Sequence, residues 1–221
     1  MNNLNFSQKG ISLIEILIAL SISIIIILAM LRAFVVMGKV TAESSLGANT
    51  DGSLMLGLVT VDRVLQGIGY DSASSMLYGS NIGVLDTDGN LLSKGIGGSI
   101  FVWKNTDTTC KAFIYETSGL NLYGGSSGYT CTNIAKPADT VSKEVLVKTN
   151  SNAIKNNDNK IGEIEFKVLD VSNCVPFGIV NPSITGITGK YQVVMTAYSY
   201  AASSESISRP IRNITCLVNL S

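Results

Sequence analysis

Histidine is absent from this 221-residue chain, and charged residues make up only 14% of it. Without histidine, Ser-His-Asp and Cys-His catalysis and histidine-ligated metal centres are excluded. The 16 basic and 16 acidic side chains balance, so no basic patch indicates a nucleic-acid partner. The cysteines form no C-x-x-C pair, which disfavours zinc and thioredoxin-like sites. We find no catalytic constellation, interpret the chain as non-enzymatic, and expect no cofactor and no metal.

Charge is rarest near the N-terminus, where an apolar run covers residues 11–31. A helix of about 20 apolar residues crosses a bilayer, so this length is sufficient. One acid, Glu15, interrupts the run, and an acid near the bilayer centre costs roughly 2.5–3.5 kcal/mol on insertion scales. Glu15 is therefore a candidate functional residue.

Two ordinary interpretations of this apolar run explain fewer of its features. A secretory signal is cut after its apolar core at an A-x-A-like site. The nearest candidate for such a site, residues 40–42, lies beyond Arg32 and Lys39. A plain single-pass anchor explains the hydrophobicity, but it does not explain Gly10 and Glu15 together.

The segment Lys9-Gly10-Ile11-Ser12-Leu13-Ile14-Glu15 resembles the type III signal of type IV prepilins and pseudopilins. The resemblance implies that a membrane aspartic peptidase cuts after Gly10 on the cytoplasmic side and N-methylates the new first residue, Ile11. Glu15 then stands at the fifth mature position. The chain departs from the family in having Ile11 where phenylalanine is commoner, and Arg32 where major pilins often carry proline. The second departure favours a minor pilin.

The domain organisation follows from this resemblance and from the periodicity of the chain. We expect a leader at 1–10, a transmembrane and filament-core helix at 11–37, a continuing amphipathic helix at 38–70 and an extracytoplasmic β-rich domain at 71–221. Apolar residues spaced 4, 3, 4 and 3 form one helical stripe that is predicted to pack on its own domain's sheet, and they are Leu54, Leu58, Val61, Leu65 and Ile68.

The end of that helix carries a second, looser resemblance. Residues 62–70 are similar to a D-[LR]-x-x-x-[AG]-x-[GY] pattern that closes the long helix of PilW-like minor pilins and of J-type pseudopilins of type II secretion. Asp62 and Arg63 lie off the apolar stripe.

Beyond Tyr70 the periodicity changes to two, which is typical of half-buried strands. The strand candidates are residues 82–85, 100–103, 112–116, 144–148, 163–168, 191–200 and 211–220. Turn signals rich in glycine and asparagine separate them. The predicted fold class is α+β: a long N-terminal membrane-spanning α-helix packed on an antiparallel β-sheet globular domain, as in type IV pilins.

Three local motifs each have two interpretations. Residues 86–90 resemble the start of a calcium loop, but an Asp-Gly β-turn is the better account because the glycine is misplaced for an EF-hand. Asn213-Ile214-Thr215 matches a glycosylation sequon, but sequons this short often arise by chance. Four aromatic side chains could form an adhesive surface, although core packing is the favoured interpretation, and they are Trp103, Tyr191, Tyr198 and Tyr200.

The four cysteines lie beyond the predicted anchor, and an even count in a translocated domain favours two disulfides. Three connectivities are possible. Loop closure weakly favours neighbours in sequence, so we predict Cys110–Cys131 and Cys174–Cys216. The second bond would tie down the terminal strand, as C-terminal disulfides do in many pilins.

The resemblance implies a structural minor pilin of a type IV pilus, a priming or tip-proximal subunit of the filaments used in adhesion and twitching motility. The implied partners are the prepilin peptidase, other minor and major pilins through the N-terminal helix, and the inner-membrane assembly platform. The implied location is the bacterial inner membrane, with a single pass and a cytoplasmic N-terminus, followed by the periplasm and the extracellular filament.

Two alternatives remain open. The chain could be a pseudopilin of type II secretion or of DNA-uptake machinery, or it could be a filament-borne adhesin or binding module. If the chain is a structural filament subunit, Glu15 has a role in assembly, since its carboxylate would pair with the α-amino group of Ile11 in its own chain or in a neighbour.

Overall fold

A computed structural model describes residues 12–69, 77–148, 164–174, 189–198 and 210–217, apart from the side chains of residues 172 and 173. The chain divides into two compact units, Met1–Ser45 and Leu46–Ser221. The architecture is α+β, with one long apolar helix near the N-terminus and antiparallel sheets after it.

Helix α1 runs from Leu13 to Gln66 and contributes to both units. The helix ends at Gln66, where the sequence analysis extended it to residue 70. The N–H of Gly67 donates to the carbonyl of Val64 at 3.1 Å, a bond over three residues that tightens the last turn. Gly69 has a φ of 84°, a left-handed conformation that ends the helical path of the backbone.

The second unit holds two antiparallel sheets. The strands of the first sheet lie in the order β1-β2-β3-β4-β6, with β5 paired to β3, and those of the second in the order β7-β8-β9. The strand bounds are Ile82–Leu85 (β1), Ile100–Lys104 (β2), Thr109–Glu116 (β3), Gly119–Tyr123 (β4), Tyr129–Thr130 (β5), Lys143–Lys148 (β6), Ile164–Cys174 (β7), Gly189–Tyr198 (β8) and Pro210–Leu217 (β9).

One backbone bridge links the two sheets. Gly98 and Phe166 exchange both of their N–H···O bonds, at 2.9 and 2.8 Å. Gly98 has no side chain to obstruct this approach, because a Cβ there would meet the carbonyl oxygen of Leu85. The loop between β1 and β2 therefore connects the first sheet to β7.

The main core lies between the C-terminal part of α1 and both sheets. All five residues of the predicted stripe are buried, from Leu54 to Ile68, and they cluster with side chains of both sheets. An aromatic group packs in this core: Phe113 is stacked on Phe166 with 6.0 Å between ring centroids, and it contacts the tilted ring of Trp103 at 4.9 Å. The prediction that the stripe packs on its own domain's sheet is confirmed.

A second, smaller core covers the opposite face of the first sheet. Cys110, Val102 and Ile114 are buried there under side chains from the segment after β5, including Ile134 and Val141. Both faces of β2 and β3 are therefore apolar, which accounts for the continuous hydrophobic run of β2 in the sequence.

Candidate functional site

The first turn of α1 holds the acid that the sequence analysis singled out. Ser12 precedes the helix, and its backbone N–H donates to Oε2 of Glu15 at 3.1 Å. The N–H of Glu15 bonds back to the carbonyl of Ser12 at 3.0 Å. This is the returning half of a capping box, in which an acid at the third helical position satisfies the N-cap amide. The signal S-x-x-E before an apolar run was present in the sequence, but the sequence analysis did not use it.

This hydrogen bond fixes the carboxylate of Glu15 at the very start of the helix. The other carboxylate oxygen, Oε1, has further capacity to accept hydrogen bonds. The predicted cleavage and methylation positions, Gly10 and Ile11, lie outside the described residues. Ser12 is the immediate chain neighbour of Ile11, so the carboxylate contacts the backbone one residue away from the predicted new N-terminus.

The helix that follows Glu15 exposes its apolar side chains on all sides. Leu13 is 77% exposed, Ile25 66% and Phe34 77%, and no side chain between residues 13 and 42 is buried. By length and composition this helix could span a membrane, and it is the one such helix among the described residues. Within the described chain, the guanidinium of Arg32 makes no ion pair and no hydrogen bond.

Further along α1, Asp62 connects the helix to the last strand. Its carboxylate accepts hydrogen bonds from the buried Thr215 hydroxyl on β9 and from Nε2 of Gln66, the latter at 2.7 Å. Asp62 belongs to the segment that resembles the end of the PilW-like helix. The sequence analysis placed it off the stripe and assigned it no contact. Its partner is 153 positions away, so helical periodicity could not reveal this hydrogen bond.

Two disulfides are present, Cys110–Cys131 and Cys174–Cys216, each with a Cα–Cα distance of 5.7 Å. These are the two pairs that loop closure favoured in the sequence. The first joins β3 to the segment that covers the smaller core. The second joins the two outer strands of the three-stranded sheet, β7 and β9.

The calcium-like residues form a turn. Oδ1 of Asp86 accepts the backbone N–H groups of Asp88 and Asn90 at 2.9 and 2.8 Å, and Gly89 has a φ of 90°. The side chain of Asn90 donates to Asp86, and this hydrogen bond is the largest cause that lowers the pKa of Asp86. The carboxylate is thus engaged with its own loop, and the described residues contain no cluster of metal-ligating side chains.

Two of the aromatic candidates for an adhesive surface are buried. Trp103 is 3% exposed and Tyr191 is 2% exposed, and both belong to the main core. Tyr198 is half-buried on β8, and Tyr200 lies outside the described residues. In the sequon, Asn213 is half-buried on β9, and the hydroxyl of Thr215 is bonded to Asp62, so the sequon is part of a strand.

One polar cluster lies at the junction of β3, β4 and β6. The Glu116 carboxylate accepts from Nζ of Lys143 at 2.8 Å, from Nδ2 of Asn121 at 3.1 Å and from the Tyr123 hydroxyl. Partial burial acts to raise the pKa of Glu116, but the hydrogen bonds from Lys143 and Tyr123 outweigh it, and the pKa is lowered from 4.5. The cluster links the three strands through side-chain hydrogen bonds.

Comparison with protein-family models, with curated proteins and with solved structures returned no match to this chain.

Proposed function

We propose that this chain is a minor subunit of a type IV pilus or a closely related filament. It would be inserted in the inner membrane with a cytoplasmic N-terminus, cut after Gly10 by a prepilin peptidase, and methylated on Ile11. The assembly platform would then transfer it into a filament, where helix α1 packs among the helices of other pilins. The proposal assigns no catalytic step to the chain.

The observation that carries this proposal is the position of the Glu15 carboxylate. The carboxylate lies in the first turn of an apolar helix and accepts a hydrogen bond from the N–H of Ser12. Ser12 directly follows Ile11, the proposed N-terminus of the cleaved chain. Cleavage would create a positive α-amino group beside it, and an unpaired charge in an apolar environment costs several kcal/mol. A carboxylate at this place can neutralise the amine of its own chain or that of a neighbour in the filament.

The alternatives differ in what they require of the second unit. A pseudopilin of type II secretion or DNA uptake needs the same leader and the same helix, so these features support both readings. A filament-borne adhesin needs an exposed recognition surface, and the burial of Trp103 and Tyr191 removes two of the aromatic residues considered for it. We therefore favour a structural subunit over a binding module.

Processing is the first test. Mature protein from a strain with an intact prepilin peptidase should begin at a methylated Ile11, as read by N-terminal sequencing and mass spectrometry. Gly10→Val should leave uncut precursor in the membrane, because a branched side chain obstructs the scissile bond. Gly38→Ala serves as the matched control and should be cut normally, since a Cβ there meets nothing within 4 Å. A mature chain that begins near Glu43, or that retains Met1, would contradict the proposal.

The second test separates the charge of Glu15 from its capping hydrogen bond. Glu15→Gln keeps an oxygen that can accept the Ser12 N–H, as glutamine does in capping boxes, but removes the negative charge. We expect Glu15→Gln and Glu15→Ala to be inserted and cleaved normally and yet to be strongly depleted from sheared filaments on immunoblots. Glu15→Asp should be intermediate. Wild-type abundance of Glu15→Gln in filaments would show that only the cap matters.

A further inference from the structure

The charged side chains on the part of α1 in the first unit limit the depth at which this helix can lie in a bilayer. At 1.5 Å per residue, Glu15 and Arg32 are about 25 Å apart along the axis, and Glu15 and Lys39 are about 36 Å apart. The hydrocarbon layer of a bilayer is about 30 Å thick, and the two headgroup regions extend the bilayer to about 40–45 Å. The first pair of charges is therefore slightly closer together than the two boundaries of the hydrocarbon layer, and the second pair is further apart.

Lys39 fits a place in the headgroup region on the side opposite Glu15. Glu43 follows it by four positions, the spacing at which opposite charges meet on one face of a helix. If Lys39 marked the boundary of the hydrocarbon layer, Arg32 would lie about 10 Å inside it, where a charge is costly. If Glu15 lies at one boundary, Arg32 is only about 5 Å below the other. Local thinning of the bilayer and the long arginine side chain can absorb this difference.

The apolar turn after Arg32 agrees with this placement. Residues 33–37 contain no charge and cover about 7 Å of helix, roughly the depth of one headgroup region. Their large side chains are exposed, and Phe34 is the most exposed of them. In the headgroup region these side chains are covered by lipid on all sides of the helix, so the placement leaves them out of bulk water.

The guanidinium of Arg32 needs an anion from outside its own helix segment. The positions within one turn of Arg32 are all apolar, and they are Leu28, Ala29, Val35 and Val36. A parallel copy of the chain in the same bilayer has its Glu15 at the opposite boundary, so that acid cannot reach Arg32. The anion that a bilayer itself supplies near this depth is the phosphate group of a phospholipid.

We propose that Arg32 binds the phosphate group of a phospholipid in the leaflet opposite Glu15. The planar guanidinium can donate two parallel hydrogen bonds to phosphate oxygens, which lysine cannot do. The contact fixes the depth of α1 in the bilayer. The inference rests on the proposed function only for the insertion of α1 across the membrane, and it requires neither cleavage after Gly10 nor assembly into a filament.

The first experiment measures the proximity of the guanidinium to lipid phosphorus. Full-length uncut protein with isotope-labelled arginine Cζ atoms is reconstituted in vesicles of phosphatidylethanolamine and phosphatidylglycerol. Solid-state NMR then records how much of the Cζ signal decays through dipolar coupling to phosphorus. The chain has four arginines, so we expect about one quarter of the signal to decay in this way through Arg32. Alkaline extraction of the vesicles verifies that each variant is inserted.

Two conservative substitutions assign the coupled signal. Arg32→Lys retains a positive charge at the same depth but removes the labelled guanidinium, so it should abolish the coupled fraction. Arg63→Lys is the control, because Arg63 is an exposed arginine in the second unit, and it should leave that fraction unchanged. Equal coupled fractions in wild type and Arg32→Lys would overturn the proposal. Because the protein stays uncut and unassembled, a failure of processing or of filament assembly does not affect this result.

The second experiment tests whether Arg32 fixes the depth of the helix. Arg32→Leu extends the uncharged run from Ile16 to Met37, about 33 Å, so the helix can move toward the Glu15 side until Lys39 reaches the boundary. Met37→Cys is labelled with a membrane-impermeant maleimide, to which the disulfide-bonded native cysteines do not react. Its labelling relative to that of Ala42→Cys should fall severalfold when combined with Arg32→Leu and should stay near the wild-type level with Arg32→Lys.

The two experiments together have distinct outcomes. Labelling of Met37→Cys that does not change with Arg32→Leu would contradict the role of Arg32 in fixing the depth. A change in labelling without phosphorus coupling would show that water or an acid of another protein receives the guanidinium, and this too would overturn the proposal. Wild-type protein that alkaline extraction removes from the vesicles would contradict both this inference and the membrane insertion in the proposed function.

Discussion

At the scale of single residues, polar side chains form hydrogen bonds between helices and strands that the hydrophobic periodicity of the sequence does not predict. Asp62 is the clearest case. Helical periodicity places Asp62 off the apolar stripe, and only the folded chain reveals that its carboxylate accepts a hydrogen bond from the hydroxyl of Thr215 on β9. The capping role of Glu15 differs, because both of its partners are local and the S-x-x-E signal could have predicted it.

Glu116 gives a prediction about acid stability at the same scale. Its folded-state pKa is lowered, so its contribution is complete above the ordinary glutamate value of 4.5 and is lost as the pH falls through the lowered value. We expect Glu116→Gln to lower the free energy of unfolding by about 1 kcal/mol at neutral pH, because it weakens the bonds from Lys143 and Tyr123. The difference from wild type should shrink as the pH falls below 4.5 and through the lowered pKa of Glu116.

The measurement is urea unfolding of the full-length protein in mild detergent, followed by the fluorescence of Trp103, the one tryptophan of the chain. Glu144→Gln is the control, since Glu144 is an exposed acid on β6, next in the chain to the Lys143 that Glu116 contacts. A deficit of Glu116→Gln that stays constant from neutral to acid pH would show that the charge of Glu116 contributes nothing.

At the scale of elements, the pattern of apolar residues predicted most of the helices and strands. The stripe of α1 and the cores of seven strands were predicted, because each has a clear period of 3.6 or of two. β4 was missed, although it is fully buried, since a central Asn121 interrupts its apolar pattern. β5 has only two residues and forms because the disulfide and its pairing with β3 hold it. Ends of 163–168, 191–200 and 211–220 extend beyond the described residues.

Packing of α1 on the first sheet depends on a glycine that the sequence analysis did not single out. Gly57 is buried on the helix face that meets β6, and a Cβ there would overlap Cγ2 of Val147. Valine is stiff about χ1, so the strand or the helix must shift to make room. We expect Gly57→Ala to lower the free energy of unfolding by about 1–3 kcal/mol, the usual cost of overpacking, when measured by urea unfolding with Trp103 fluorescence.

Gly52 offers a matched control on the same helix. It is exposed, and a Cβ there meets nothing within 4 Å. Gly52→Ala should therefore raise the free energy of unfolding by about 0.5–1 kcal/mol, because alanine favours helix more than glycine does. If both substitutions stabilise the protein equally, the close approach of α1 to β6 is not a constraint.

At the scale of the whole molecule, the two units have opposite relations to water. The part of α1 from Leu13 to Ser45 exposes its apolar side chains and buries none of them, and by length and composition it could span a membrane. The unit Leu46–Ser221 buries two apolar cores and contains both disulfides. Disulfides form and persist in oxidising compartments. An apolar helix on one side and oxidised cysteines on the other agree with a chain whose second unit is exported.

The two disulfides should not contribute equally to the stability of the unit Leu46–Ser221. Cys174–Cys216 closes a sequence separation of 42 and Cys110–Cys131 one of 21. Each is expected to contribute about 2–4 kcal/mol, and doubling the loop adds roughly 0.6 kcal/mol through the entropy of the unfolded chain. Cys174–Cys216 also ties together β7 and β9, which pair only through β8.

Replacing both Cys174 and Cys216 by alanine should therefore lower the urea midpoint more than the same change at Cys110 and Cys131, again read by Trp103 fluorescence. The reverse order would mean that the segment covering the smaller core, held by Cys131, matters more to the unit than its terminal strand.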